Sequence, residues 1–220
     1  MTAKASVISI QVGRPLQVSR RRRIFRTAIQ KSPVSGPVTV QRLNLAGDEQ
    51  ADLSVHGGPD KAVYLFPSEH YDFWSSRLDR YDLPWGSFGE NLTTVGIDDR
   101  ELAVGDQLQI GSAVFEIRQP RTPCYKLAFQ FDRPDIINAF ARSGRMGVYL
   151  SVLREGVIQA GEEIFLHPTN SPRITIAQLL QLLREPTVDL DLVRRAIECE
   201  ALPEPWKISL RERFSEAMIH

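Results

Sequence analysis

Alternation of apolar and polar positions dominates the first three quarters of the chain. SVISIQV (6–12) alternates and is β-branched, which predicts a strand. RRRRIF (20–25) leads from a basic run into RTAIQK and predicts a second strand; VTVQRLNL (38–45) predicts a third and KAVYLF (61–66) a fourth. The period then changes. In PSEHYDFWSSRL (67–78), Tyr71, Trp74 and Leu78 share one helical face, Pro67 sits in the first turn and Glu69 lies near the positive end of the dipole. ELAVGDQLQIGSAVFEIRQP (101–120) returns to period two. It predicts two strands joined at Gly111-Ser112, with Leu108 and Ile110 alternating on one arm and Ala113, Phe115 and Ile117 on the other. PDIINAFARSG (134–144) predicts a second helix ended by Gly144, and GVYLSVLREGVIQAGEEIFL (147–166) predicts two more strands around Glu155-Gly156. Short strands at this spacing predict a barrel or sandwich; two helices outside it make the class α+β.

The pattern changes again at HPTNSPR (167–173), a polar stretch with two prolines that reads as a linker. Beyond it the chain is helical. Thr175 is placed to cap IAQLLQLLRE and Pro186 to stop it; DLDLVRRAIECEA and PEPWKISLRERFSEAMI predict two further amphipathic helices. Each is short enough to need the others for stability. The expected organisation is a β-rich domain over 1–168 and a three-helix domain over 174–220. Cys199, beside Ile197, is expected as a small core residue.

Composition narrows the function. The chain has 220 residues, 42% hydrophobic and 25% charged, the balance of an ordinary globular protein. Its 27 basic and 27 acidic residues cancel, which disfavours stable nucleic-acid binding. Two distant cysteines give no disulfide framework, and the four histidines pair with no cysteine at zinc-ligand spacing. The N-terminus has no apolar signal region, and no run approaches the roughly 18 apolar residues that would cross a bilayer. The expectation is a cytoplasmic protein whose Cys124 is a free thiol.

QPRTPCYKL (119–127) holds that cysteine four residues after Pro120 and directly after Pro123, flanked by Arg121 and Lys126. Neighbouring cations favour the thiolate, which is both nucleophile and metal ligand. His56 lies in SVHGGPDKA, where Gly57-Gly58-Pro59 forces a turn. In GSFGENL (86–92), Asn91 offers a donor and an acceptor to a heterocycle edge. The run Arg20 to Arg23 reads as a solvated face, whereas Arg26 starts a strand and is placed to reach a barrel mouth, where arginine suits phosphate. GxGxxG, P-loop, GxSxG, haem and iron–sulfur signatures are absent.

Together GDEQADLSVHGGPDKAVYLFPSEHY, FGENL, VGDQLQIGSAVFEIRQPRTPCYKL and SGRMGVYLSVL resemble the MOSC domain, named for the C-terminal domain of molybdenum cofactor sulfurase. The likeness is to the bacterial YiiM type, a group associated with reduction and detoxification of 6-N-hydroxylaminopurine, which carries a three-helix domain after the barrel. The resemblance implies a β-barrel and a bound molybdenum cofactor, a molybdopterin with a terminal phosphate. It implies Cys124 as the molybdenum ligand and matches His56 to the family's histidine. A soft thiolate suits a metal already bound to dithiolene sulfur. Arg121 and Lys126 are then expected to offset cofactor charge, Arg26 and Lys31 to hold phosphate or pterin, and Asn91 to read the pterin edge.

The expected activity is reduction of an N-hydroxylated base to the amine, with His56 as proton donor and Phe88 or Tyr125 stacking on a purine. Electrons would come from a separate flavin or iron–sulfur reductase. Three other functions compete. One is a sulfur carrier with a Cys124 persulfide, although the chain has no pyridoxal-phosphate-dependent desulfurase domain. The others are a cysteine–histidine hydrolase and a non-catalytic ligand-binding module. Oligomeric state, a dimer among the candidates, is not fixed by the sequence.

Overall fold

The computed structural model describes residues 4–20, 23–51, 57–169, 173–185 and 189–218. Strand β1 (Ser6–Val12) lies where alternation predicts it. The basic run falls at the end of a hairpin: β2 (Leu16–Arg20) pairs antiparallel with β3 (Arg23–Thr27), so LQVSR is a strand as well. The side chains of Arg20 to Arg23 lie outside the described residues. A short β4 (Ser32–Pro33) pairs with the end of β1. The single strand predicted over 38–45 is two, β5 (Val38–Gln41) and β6 (Asn44–Leu45), with Gln41 opposite Asn44. A two-residue turn at Arg42-Leu43 reverses the chain without interrupting the alternation, so pattern alone could not show it.

All five residues of β7 (Val63–Pro67) are buried. Pro67 ends this strand and does not open the helix; α1 (Glu69–Leu78) starts two residues later. Strand β8 (Leu92–Val95), unpredicted, runs parallel to β7. Parallel neighbours need a crossover, and α1 with the loop after it supplies one. The predicted hairpin is β9 (Gln107–Ile110) and β10 (Ala113–Pro120). An unpredicted α2 (Tyr125–Phe131) begins directly after Cys124, and α3 (Ile136–Ser143) follows. The last β region holds three strands where two were expected. β11 (Val148–Arg154) pairs with β10 and β7, β12 (Gly156–Ile158) turns away to β5, and β13 (Ile164–His167) joins β9.

The main sheet has the order β13-β9-β10-β11-β7-β8-β1-β4, and β12-β5-β6 form a second. This is the order of an open sheet, so the predicted barrel is not shown as a closed one. Its flanks do meet: Ser6 bridges Glu163, Val7 N donates to Glu162 O at 3.0 Å and Ile164 N to Ala5 O at 2.8 Å. Among the described residues, no helix is long and apolar enough to cross a membrane.

The C-terminal helices are α4 (Ile176–Arg184), α5 (Leu190–Glu198) and α6 (Glu204–Met218). Thr175 caps α4 in a reciprocal box with Gln178, as its position predicts. Pro186, the predicted stop, lies outside the described residues. Cys199 is fully buried just past α5, a core residue as expected. The trio is fastened to the sheet. Ile176 N donates to Leu102 O at 2.8 Å, Arg184 to the Ala141 carbonyl at 2.6 Å, and Trp206 Nε1 to Gln119 Oε1 at 2.6 Å. Buried Asp106 holds both ends of the connecting segment, accepting from Ala103 N at 2.8 Å, Thr169 N at 2.9 Å and Arg173 at 3.1 Å.

One loop places the site's floor. Glu90 is fully buried and its carboxylate accepts from the Tyr71 hydroxyl, Gly86 N (2.8 Å), Phe88 N (3.1 Å) and the Thr93 hydroxyl (3.1 Å). The glutamate of FGEN thus folds its own loop. Gly89, at φ +83°, leaves room for Ile29, whose Cγ1 would lie 2.8 Å from an added Cβ. Phe88 is driven into the core, stacked 4.6 Å from Phe66, and is not available to a purine.

Two outcomes follow from these networks. Asp106→Ala leaves three donors without their acceptor and is expected to cost about 2–4 kcal/mol in urea unfolding, with faster proteolysis near 167–173. A loss below about 0.5 kcal/mol would show that the clamp is dispensable. Burial holds the Glu90 carboxyl above the ordinary glutamate range, against the pull of its donors. The native state therefore binds the proton more tightly than the unfolded chain, and Glu90's contribution falls as pH rises through that raised value. Glu90→Gln turns an amide toward four donors and is expected to cost about 1–3 kcal/mol near pH 4. The deficit should shrink toward about pH 8; a widening one would contradict the assignment.

Candidate active site

A cavity opens where β3, β7, β11 and the start of α2 meet. Its volume is about 100 Å³. Cys124, Arg121, Lys126, Lys31 and Asn91 all line it, so five of the seven expected site residues converge. Cys124 is half-buried and has extended backbone (φ −138°, ψ 174°) immediately before the first turn of α2. Arg121, Cys124 and Lys126 line the same cavity across this change of conformation.

Arg121 is 5% exposed. Its guanidinium lies over the Tyr64 and Phe140 rings, 5.2 Å from each centroid. Such faces stabilise a cation without satisfying its N–H groups, and Nη1 has no hydrogen-bond partner among the described residues. The backbone is fixed by a chain of contacts. Arg121 N donates to Gly147 O at 3.1 Å, Gly147 N to Asp99 Oδ2 at 2.9 Å, and Asp99 Oδ1 meets His70 Nε2 at 2.7 Å. Arginine is donor-only, so Arg145, 3.3 Å from His70 Nδ1, makes that nitrogen the acceptor and Nε2 the donor. Gly147 (φ +67°) tolerates no side chain, because a Cβ would fall on the Leu65 carbonyl.

Lys126 is buried and has no hydrogen bond or ion pair among the described residues. Lys31 differs. Its ammonium is paired with Asp48, which also accepts from Gly13 N at 2.7 Å. Burial pulls the Lys31 pKa below the ordinary lysine range while Asp48 pushes it back up. Lys31's charge is therefore largely spent inside the protein, in contrast to its expected role toward a phosphate. Asn91 is committed as well: Oδ1 accepts from Tyr64 N at 3.1 Å and Nδ2 donates to Gln11 O at 3.2 Å, joining β7 to β1. Its amide holds the sheet together where the sequence suggested a ligand edge.

Arg26 does not line the cavity. It is exposed and pairs with Gln17, while its strand neighbour Thr27 lines the wall. Side chains alternate across a strand, so the position that brings Thr27 inward sends Arg26 outward. His56 lies outside the described residues. The turn beside it is as expected, with Gly58 at φ +93° leading into a 3₁₀ turn over Pro59–Lys61. Tyr125 is exposed and packs edge-on against Phe25, centroids 5.1 Å apart.

Pattern reading missed Asp48, Tyr64 and Tyr149. Asp48 had a signal, being the first acidic residue in the chain after Lys4, Arg14, six further arginines and Lys31. The tyrosines had none. They sit directly opposite each other on β7 and β11, a pairing that only the register creates.

Comparison with known proteins agrees with the geometry. The MOSC domain model matches residues 52–165, and the YiiM-like, 3-alpha helix domain model matches 174–216. Protein YiiM of Escherichia coli is 33% identical over 191 residues, covering 85% of this chain and 84% of that protein. The crystal structure of YiiM from Geobacillus stearothermophilus superposes with a TM-score of 0.79 at 31% identity, covering 95% of this chain and 98% of that one. A Gibberella moniliformis protein named "Reductase" is 34% identical over 182 residues, 80% of this chain but 31% of that protein. With these two domain models matching in this order over most of its length, the chain belongs to the MOSC-domain family, in its YiiM-like form with a three-helix domain.

Proposed function

We propose that the protein binds a molybdenum cofactor at Cys124 and reduces N-hydroxylated bases, such as 6-N-hydroxylaminopurine, to the amine. The observation that carries this reading is Nη1 of Arg121, without a partner among the described residues and buried in the same cavity as a thiol and a Lys126 that forms no ion pair among them. A buried cation with an unspent N–H calls for an anion, and a single soft ligand suits a metal that brings its other sulfurs with it. When bound, the cofactor supplies the two-electron chemistry that removes oxygen from an N–OH group. Cys124 would hold the metal, while Arg121 and Lys126 would balance negative charge. The aromatic faces of Tyr64 and Phe140 keep the guanidinium in place. His56 is the proposed proton donor to the departing oxygen, and a separate flavin or iron–sulfur reductase the electron source. The relative named "Reductase" supports the reaction class. The family's barrel geometry and a cytoplasmic location belong to the same reading.

Metal analysis of protein made with an intact cofactor pathway is expected to find about one molybdenum per chain, and Cys124→Ser to lose the metal and the reductase activity. A folded Cys124→Ser variant with full activity contradicts the ligand assignment. A persulfide on Cys124 without molybdenum would point to a sulfur carrier. Arg121→Ala removes a charge-assisted contact of roughly 1.5–3 kcal/mol and should lower cofactor retention increasingly with salt, whereas Arg26→Ala should leave it unchanged. Equal losses in the two variants would return Arg26 to the site. His56→Gln is expected to keep the metal and to lower turnover about 10²–10⁴-fold; full activity across the pH range would remove it from the mechanism.

A further inference from the structure

Besides the thiol, the cations and Asp48, the polar lining of the cavity includes Thr27, Glu49, Gln50, Tyr64, Asn91 and Tyr149. Tyr149 lines it from β11, half-buried, with its ring 5.3 Å from the Tyr64 ring across the strand pair. Its phenol lies beside the Arg121 guanidinium and close enough to Cys124 for the two to interact electrostatically. Arginine has donors and no acceptor, so any hydrogen bond between them runs from Arg121 to the phenol oxygen. The Tyr149 proton is left over, and none of the described residues accepts it. Among the described residues, Arg121 Nη1 and the Lys126 ammonium have no hydrogen-bond or ion-pair partner, and both residues line the same cavity. Three donors of different kinds thus line the cavity that Cys124 lines.

We propose that Tyr149 is a fixed hydrogen-bond donor to an oxygen atom held at the Cys124 end of the cavity, and so positions the oxygen-bearing group of the ligand. This rests on the functional reading above and adds a residue to it. An ordinary phenol already keeps its proton at neutral pH, and burial of Tyr149 disfavours the phenolate further. Such a group donates a hydrogen bond and keeps its proton. The effect is preorganisation: the donor waits where charge collects on oxygen, in a site partly shielded from water.

Two roles for Tyr149 predict opposite signs. If the phenol only ties down Arg121, Tyr149→Phe releases a donor, and affinity for an oxyanion rises or holds. If it donates to the ligand, affinity falls. The probe is molybdate, titrated calorimetrically into the full chain prepared free of molybdenum. Tyr149→Phe is expected to weaken binding about tenfold. In cofactor-loaded protein it should lower kcat by about the same factor, with molybdenum content unchanged and KM moved less than kcat. 3-Fluorotyrosine at position 149, a stronger donor with the same shape, should tighten molybdate binding and guards against a misfolded phenylalanine variant. Equal or tighter binding by Tyr149→Phe, no response to fluorination, or no molybdate binding by the parent chain would each overturn the proposal. Molybdate binding that depends on Tyr149 in a chain without reductase activity would support the donor role and sink the functional reading instead.

Discussion

The backbone at Gly147 is the point on which the rest of the site depends. Its carbonyl accepts from Arg121 N, its amide donates to Asp99, and the preceding Met146 carbonyl accepts from the Tyr64 hydroxyl at 2.8 Å. Three segments far apart in sequence are tied there within two residues, and a side chain at 147 would push the strand off Leu65. The cysteine loop, the sheet and α1, through His70 and Asp99, therefore hold a common position. A 1 Å error in such a shell is enough to spoil a site. The shell here fastens the Asp99 and Tyr64 side chains to the backbone of residues 146 and 147, beside one backbone–backbone bond to Arg121.

The chain keeps two kinds of charge apart. Lys31 and Asp48 are buried against each other, and Glu90 is buried among donors. These groups are satisfied internally and give the wall its shape. Arg121 and Lys126 are buried without a carboxylate among the described residues. A buried charge without a partner costs several kcal/mol, so its retention suggests that a ligand shares the cost. Aromatic faces at 5.2 Å offset part of it in the meantime.

The three-helix domain is fastened close to the chemistry. Trp206 bonds Gln119, two residues before Arg121, and Arg184 bonds the end of α3. Asp106 fixes the connecting segment on both sides. The helices thus brace the β10 end from which the cysteine loop departs.

Much of this was legible beforehand. Alternation located β1, β9, β10 and β11, and Thr175 with Gln178 announced α4. QPRTPCYKL pointed to Cys124, Arg121 and Lys126 through a thiol flanked by two cations, and the three line one cavity. Other expectations failed where pattern carries no long-range information. Asn91 reads as a free amide until β1 and β7 are adjacent, and Lys31 reads as a free cation until Asp48 folds against it. Arg26 depended on which face its hairpin turned outward. Tyr64 and Tyr149 look like any strand tyrosines 85 positions apart. By itself the sequence determined which short segments become strands or helices, because that depends on neighbours a few residues away. Only the tertiary structure decided which polar groups were consumed and which were left for a ligand, because hydrogen bonding is settled by partners the chain brings together last.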